Sequence, residues 1–212
     1  MTLAEWESQF IAFLAQQPDP PDAAHGLAHL RRVVASAKRI GAAEGTEMAV
    51  VVPAAWLHDC VALPKDHPDR SRASRTAADH AVAFLHEVDY PARHLDAIHH
   101  AIEAHSFSAN IPPRTLEASV VQDADRLDAL GAIGLARTLA VGTSLSRPLY
   151  HLADPFCTHR APDDHTYTLD HFYTKLLTLA GTMQTDSGRA EAKRRTAFLQ
   201  VFLEELRSEI GD

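Results

Sequence analysis

The sequence predicts an all-α bundle, and three observations carry that prediction. Apolar residues recur at helical spacing in most of the chain. Strand-like alternation and Asn-Gly hairpin signals are missing. The chain has 212 residues, 46% of them hydrophobic, enough to bury one core without disulfides. One domain over 1–212 is the expectation, with no internal repeat or low-complexity tract.

The elements follow in order. Leu3, Trp6, Phe10, Phe13 and Leu14 make a first helical stripe, and Leu30, Val33, Val34 and Ala37 a second. Met48–Val52 is β-branched enough to read as a short strand, but Ala54, Ala55, Trp56 and Leu57 favour a helix with Pro53 near its start. Ala77, Ala81, Phe84, Leu85 and Val88 give the next helix, stopped by Pro91, and Leu95, Ile98 and Ile102 another. Asp123, Asp125 and Asp128 crowd a short helical stretch. Phe172, Leu176, Leu179 and Met183 then form a stripe, and Phe198, Val201, Phe202, Leu206 and Ile210 close the chain. Two segments break the pattern: 63–75, and the Pro- and His-rich 146–168. Long structureless loops are commonly functional, and both are expected over one mouth of the bundle. For 146–168 the plainer reading is a mobile surface excursion.

Composition narrows the function. Twenty Lys and Arg against 28 Asp and Glu leave a net charge of -8, which argues against a stable nucleic-acid complex or an anionic-membrane partner. Cys60 and Cys157 lack zinc-type spacing and suit a reducing compartment. The N-terminal residues carry no signal-peptide pattern and no apolar run approaches about 20 residues, so a cytoplasmic protein is expected. Fourteen histidines raise the prospect of a metal or phosphate site.

The chemistry centres on His58-Asp59, which sets an imidazole and a carboxylate side by side. His29 lies upstream, one turn after His25, and Asp125 lies downstream. Two histidines and two carboxylates from separate helices are a common way for a bundle to hold an ion. Mixed N/O ligation suits first-row divalent ions. Asp123 and Asp125 lie about 200° apart around a helix, so only one of them can face such an ion.

The order His29, His58-Asp59, Asp125 resembles the HD-domain superfamily of metal-dependent phosphohydrolases. The stretches AHGLAHLRRV (24–33), LHD (57–59), PKD (64–66), HSFS (105–108), QDADRLDALGAIGLAR (122–137), HFYTKLLTLAGTMQT (171–185) and AKRRTAFLQVFLEEL are similar to one small bacterial subfamily. That subfamily includes manganese-dependent nucleoside triphosphate pyrophosphohydrolases. The resemblance implies metal ligands His29, His58, Asp59 and Asp125, with Asp125 matching the superfamily's Ala-Asp-x-Leu pattern and Asp123 standing behind it. It implies a divalent cofactor, with Mn2+ first and Mg2+, Co2+, Ni2+, Fe2+ or Zn2+ as alternatives. The expected reaction cleaves a nucleoside or deoxynucleoside triphosphate to monophosphate and pyrophosphate through a metal-activated water.

Further cations are needed to spread the transition-state charge. The 63–75 segment carries Lys65, Arg70, Arg72 and Arg75 against Asp66 and Asp69. Asp59 and Lys65 are the expected catalytic residues, and His25, Lys65, Arg72 and His105 the expected substrate contacts. His25 and His105 could also orient water or donate a proton, or be buried histidines satisfied by backbone carbonyls. Arg32 and Arg126 are read as partners of the ligand carboxylates, and the remaining histidines as surface or packing residues. Two rivals stand beside this reading. A di-iron HD-type oxygenase would draw extra ligands from His80, His99, His100 and His105, and a nucleotide-sensing module would bind without turnover. The expected partner is a small phosphate ester or nucleotide, and the oligomeric state is open.

Overall fold

A computed structural model describes residues 1–17, 26–61, 72–106 and 109–211. Among them every regular element is helical, as the sequence predicts: α1 (Leu3–Leu14), α2 (Leu27–Glu44), α3 (Met48–Leu57), α4 (Ala73–Glu87), α5 (Leu95–His105), α6 (Leu116–Leu127), α7 (Gly131–Ser144), α8 (Asp170–Thr174) and α9 (Asp186–Ile210). No described helix is long and apolar enough to cross a membrane. The chain groups into two compact units, Met1–Asp125 with Gln184–Gly188, and Arg126–Met183 with Arg189–Asp212.

In the first unit α3 is the hub. It packs on α1, α2 and α5, and α4 packs on α5. Its residues from Val50 to Leu57 are all buried, which explains the lack of polar punctuation there. The expectation that Pro53 stands near the start of this helix is corrected, because α3 begins at Met48 and Pro53 lies inside it. Proline has no N–H to donate to the carbonyl four residues back. That carbonyl belongs to Ala49, and the Tyr90 hydroxyl donates to it at 2.7 Å. The tyrosine thus takes over the bond that the proline cannot make. Tyr90 also packs edge-on against Trp6, and Phe13 stacks on Phe84 at 4.0 Å, so the N-terminal stripe closes the core beside α3.

In the second unit two expectations change. The stripe from Phe172 to Met183 is not one α-helix. After α8 the backbone breaks at Lys175 and continues as a 3-10 segment, Leu176–Thr182. Leu176 and Leu179 are three apart, which aligns them on a 3-10 turn, and both are buried. The closing stripe holds only in part, with Phe202 stacked on Phe172 at 5.8 Å. Leu199 and Leu203 face inward, whereas Phe198 and Val201 are exposed.

The 146–168 segment is built, not loose. Asp154 accepts the backbone N–H groups of Thr158, His159 and Arg160. Arg160 forks onto buried Asp170 at 2.5 and 2.7 Å. Thr168 and Leu169 donate to the carbonyls of Pro148 and Leu149. Burial pushes the Asp170 carboxyl up, but the Arg160 guanidinium outweighs it and holds the acid below its usual range. Arg207 stacks over the Phe156 ring at 4.0 Å and closes this network from α9.

Candidate metal centre

Four side chains from α2, the end of α3 and α6 converge in the first unit. His29 sits in the first turn of α2, His58 caps α3, Asp59 follows it, and Asp125 lies in α6. His29 Nε2 is 3.7 Å from Asp59 Oδ2 and 3.5 Å from Asp125 Oδ1. His58 Nε2 is 3.5 Å from Asp59 Oδ2 and 3.7 Å from Asp125 Oδ1. A first-row ion with bonds of about 2.1 Å wants neighbouring donor atoms roughly 3.0–3.4 Å apart. The observed spacing needs only a small contraction.

The local backbone fixes the imidazoles. A helix end leaves carbonyls unsatisfied. His58 Nδ1–H donates to Ala55 O at 2.9 Å, and His105 Nδ1–H donates to Ile102 O at 2.6 Å, each reaching three residues back at the end of its helix. This sets the proton on Nδ1 and aims Nε2 into the cluster. His58 Nε2 is buried without a hydrogen-bond partner among the described residues. A bare, buried lone pair facing two carboxylates is the arrangement that an ion would satisfy, so the donor set fits a divalent metal.

The electrostatics agree. Burial lowers the His58 pKa more than Asp59 raises it, which keeps the ring neutral as a ligand must be. Burial pushes Asp59 up, but His58, His105 and His29 hold it well below the usual carboxylate range. His105 Nε2 stands 3.5 Å from Asp59 Oδ1. Burial lowers the His105 pKa, yet Asp59 and then Asp125 more than reverse this, so it stands above its ordinary value. Cys60 is no ligand in waiting, because burial and the Asp59 charge push its thiol up to about 12. The His29 and His58 side chains are 2% and 0% exposed, and those of Asp59 and Asp125 are 21% and 27% exposed. The imidazoles therefore form the floor, and the carboxylates the more exposed rim.

The structure separates Asp123 from Asp125. Asp123 is fully buried and accepts from Gln184 N (2.9 Å), Thr185 N (2.8 Å) and Thr185 Oγ1 (2.7 Å). It fastens the start of α9, which leaves Asp125 as the aspartate that faces the histidines. Of the expected substrate contacts, His105 is brought against Asp59, and Arg72 stands exposed at the start of α4. His25 and Lys65 lie outside the described residues. Arg126 donates to Thr182 O. The other extra histidines are engaged elsewhere: His80 packs on Phe13, His99 pairs with Asp79 and His100 with Glu103. Only His105 joins His58 and Asp59 in a second three-atom grouping among the described residues, which weakens the two-iron rival. Sequence reasoning missed the buried Glu103–His100 pair, whose only signal was its i, i+3 spacing on α5.

Residues 26–130 match the HD domain family, a span that holds all four converging residues and His105. The chain belongs to the HD domain family. It is 30% identical over 190 residues to the uncharacterised protein YpgQ of Bacillus subtilis (strain 168), covering 88% of this chain and 84% of that one. An HD-superfamily hydrolase from Bacillus thuringiensis is similar in structure, with a TM-score of 0.76 and 30% identity over 98% of both chains. Bacillus subtilis YpgQ in complex with ADP aligns with a TM-score of 0.72 and 28% identity, over 97% of this chain and 93% of that one.

Proposed function

We propose that this HD-family protein is a divalent-metal-dependent phosphohydrolase that converts nucleoside or deoxynucleoside triphosphates to the monophosphate and pyrophosphate. The observation that carries the reading is the approach of His29 and His58 Nε2 to within 3.5–3.7 Å of Asp59 and Asp125, with His58 Nε2 held bare by the Nδ1–H bond to Ala55 O. The complex of YpgQ with ADP supports a nucleotide as the ligand class. When bound, the ion supplies Lewis-acid charge and lowers the pKa of water; manganese is our first choice.

The chain's own residues do the rest. His29 and His58 supply neutral nitrogens from the floor, and Asp59 and Asp125 supply charge at the rim. His105 faces Asp59 Oδ1 and orients that carboxylate. Water adds to the α-phosphorus and gives up a proton to solvent, the bond to the bridging oxygen breaks, and pyrophosphate leaves with that oxygen. Lys65, Arg72 and His25 are assigned to the phosphates, where cations offset charge on the leaving group. Asp59 is assigned a catalytic role beside its ligand role.

The test is a panel of nucleoside triphosphates and simple phosphate esters. Metal-stripped protein is given Mn2+, Mg2+, Co2+ or Ni2+, and the products are identified as phosphate or pyrophosphate. Pyrophosphate release lost in Asp59→Ala is the expected result. Tight nucleotide binding without release under any metal would leave a sensing module instead, and oxygen consumption with two irons per chain would revive the oxygenase.

A further inference from the structure

Glu103 is an odd residue for its place. It lies in the last turn of α5, where the helix dipole disfavours an anion, and it is buried. Burial pushes its carboxyl up, but the hydrogen bonds of His100 and Arg75 bring it below the ordinary value, so it is charged. A buried carboxylate in an unfavourable dipole has to be explained by what it holds.

It holds two arginines. Arg75 Nη2 is 3.3 Å from Glu103 Oε2, and Arg114 Nη2 is 4.0 Å from Glu103 Oε1. A third contact fixes the backbone. Arg114 N donates to His100 Nε2 at 2.9 Å, which puts the ring proton on Nδ1, 3.2 Å from Glu103 Oε1. With that proton in place, the 3.3 Å approach of Arg114 Nη2 to His100 Nδ1 is a contact and not a hydrogen bond. Ser74 Oγ donates to Glu103 O and ties the first turn of α4 to the same point. The position of Arg114 is thus set through a buried histidine, although its side chain is 72% exposed, and that of Arg75 is 63% exposed.

Exposed ion pairs contribute little to stability, and two guanidiniums against one carboxylate leave an excess of positive charge. Arg72, the exposed residue that precedes α4, is a further cation three positions before Arg75. Asp79, one turn after Arg75, is taken up by His99 at 2.8 Å. In a chain of net charge -8, a positive cluster organised from below by a buried dyad fits an anion that arrives from solvent. The last turn of α5 also carries His105, which faces Asp59 at the metal centre.

We propose that Arg75 and Arg114, held by the buried Glu103–His100 pair, form a site for the polyphosphate tail of a nucleoside triphosphate. The pair receives the phosphates distal to the one attacked. Arginine forks match phosphate oxygens in a way that lysine does not. This assignment rests on the hydrolase reading above for its substrate, but not for its binding chemistry.

The test titrates metal-free protein with inorganic tripolyphosphate and with orthophosphate by calorimetry, then measures KM for a nucleoside triphosphate with Mn2+. The chains compared are wild type, Arg75→Gln, Arg114→Gln, the double variant and Arg114→Lys. Loss of a charge-assisted hydrogen bond to an anion predicts roughly a tenfold weaker tripolyphosphate affinity for each single variant and more for the double. Arg114→Lys should recover part of the loss, orthophosphate binding should change little, and KM should rise more than kcat falls. A double variant with an unchanged melting temperature that binds tripolyphosphate as tightly as wild type overturns the site. So does a wild type that binds no tripolyphosphate. Turnover with unchanged KM in the double variant removes the site and leaves the hydrolase reading standing. Arginine-dependent binding without any turnover does the reverse.

Discussion

Replacing Gly188 by alanine sets two forces of opposite sign against each other. Gly188 is in the first turn of α9, where alanine is favoured over glycine by about 1 kcal/mol. By helix propensity alone the variant should be more stable. The surroundings say otherwise. A Cβ on Gly188 would stand 2.3 Å from Asp123 Oδ2 and 2.7 Å from Thr185 Oγ1. Ordinary contact requires the carboxylate to retreat by about 1 Å. Asp123 Oδ2 accepts from Thr185 N at 2.8 Å and Thr185 Oγ1 at 2.7 Å, so the retreat strains or breaks both bonds. Hydrogen bonds to a charged group contribute about 1.5–3 kcal/mol each, so the net expectation is a loss of about 3 kcal/mol. Urea unfolding measures it. A second readout is specific to the site. Asp125 is two residues along α6 from Asp123, so the variant should also bind Mn2+ more weakly, and Thr185→Ser should spare both properties where Thr185→Val does not. A Gly188→Ala protein as stable as its parent would refute the clamp.

Three other perturbations probe separate features. Asp125→Ala should abolish the rise in melting temperature that Mn2+ gives the parent, because ion binding to the native state alone is what stabilises; an unchanged rise would take Asp125 out of the ligand set. Tyr90→Phe should cost about 1–3 kcal/mol by leaving Ala49 O unsatisfied, and much less in a Pro53→Ala background, where residue 53 regains its own N–H; a double-mutant cycle in guanidinium that shows no coupling would disprove the link between Tyr90 and Pro53. Glu191 is held down to about 2, first by Arg194 and also by Arg195. A depressed carboxyl stabilises above its unfolded value and loses that contribution as pH falls through its folded value. The stability gap between parent and Glu191→Gln should therefore be constant near neutrality and shrink from about pH 4.5 down to about 2. The gap is expected to be about 1 kcal/mol because Arg194 is largely exposed, and a gap that widens in acid would contradict the assignment.

The helices were legible where one face is buried and the other wet. The period fails where that contrast fails. In α3 every residue from Val50 to Leu57 is buried, so its pattern matched a strand as well as a helix. In α9 the apolar residues outnumber the inward positions, so the stripe took in Phe198 and Val201, which are exposed, and left out Leu199 and Leu203, which are buried. The Leu176–Thr182 segment repeats every three to four residues, which a 3-10 and an α turn share until the break at Lys175 is seen. At the site, adjacency in His58-Asp59 and the family-like motifs were readable, and geometry decided what they left open. Asp123 and Asp125 are equivalent as letters. They differ because one meets the backbone of Gln184 and Thr185, residues about 60 positions away, and no local pattern encodes that contact.

The division between floor and rim explains why His58 is buried while Asp59 and Asp125 are more exposed. Buried carboxylates would need partners at every lone pair. Imidazoles can be buried at lower cost, because Nδ1–H has a carbonyl at its own helix end and only Nε2 is left to satisfy. His58 follows this rule at the end of α3, and His105 repeats it at the end of α5. The carboxylates then belong on the exposed side, where water can solvate whatever an ion does not take. His105 is the informative exception. Built like a ligand, it faces Asp59 Oδ1, while Asp59 Oδ2 faces His29 and His58. One carboxylate therefore divides its two oxygens between the His29 and His58 nitrogens and a raised imidazole, and its orientation is set from both sides. His105→Gln can keep a donor toward Asp59, whereas His105→Ala cannot. If orientation is the role of His105, the glutamine variant should retain much of the Mn2+ affinity that alanine loses.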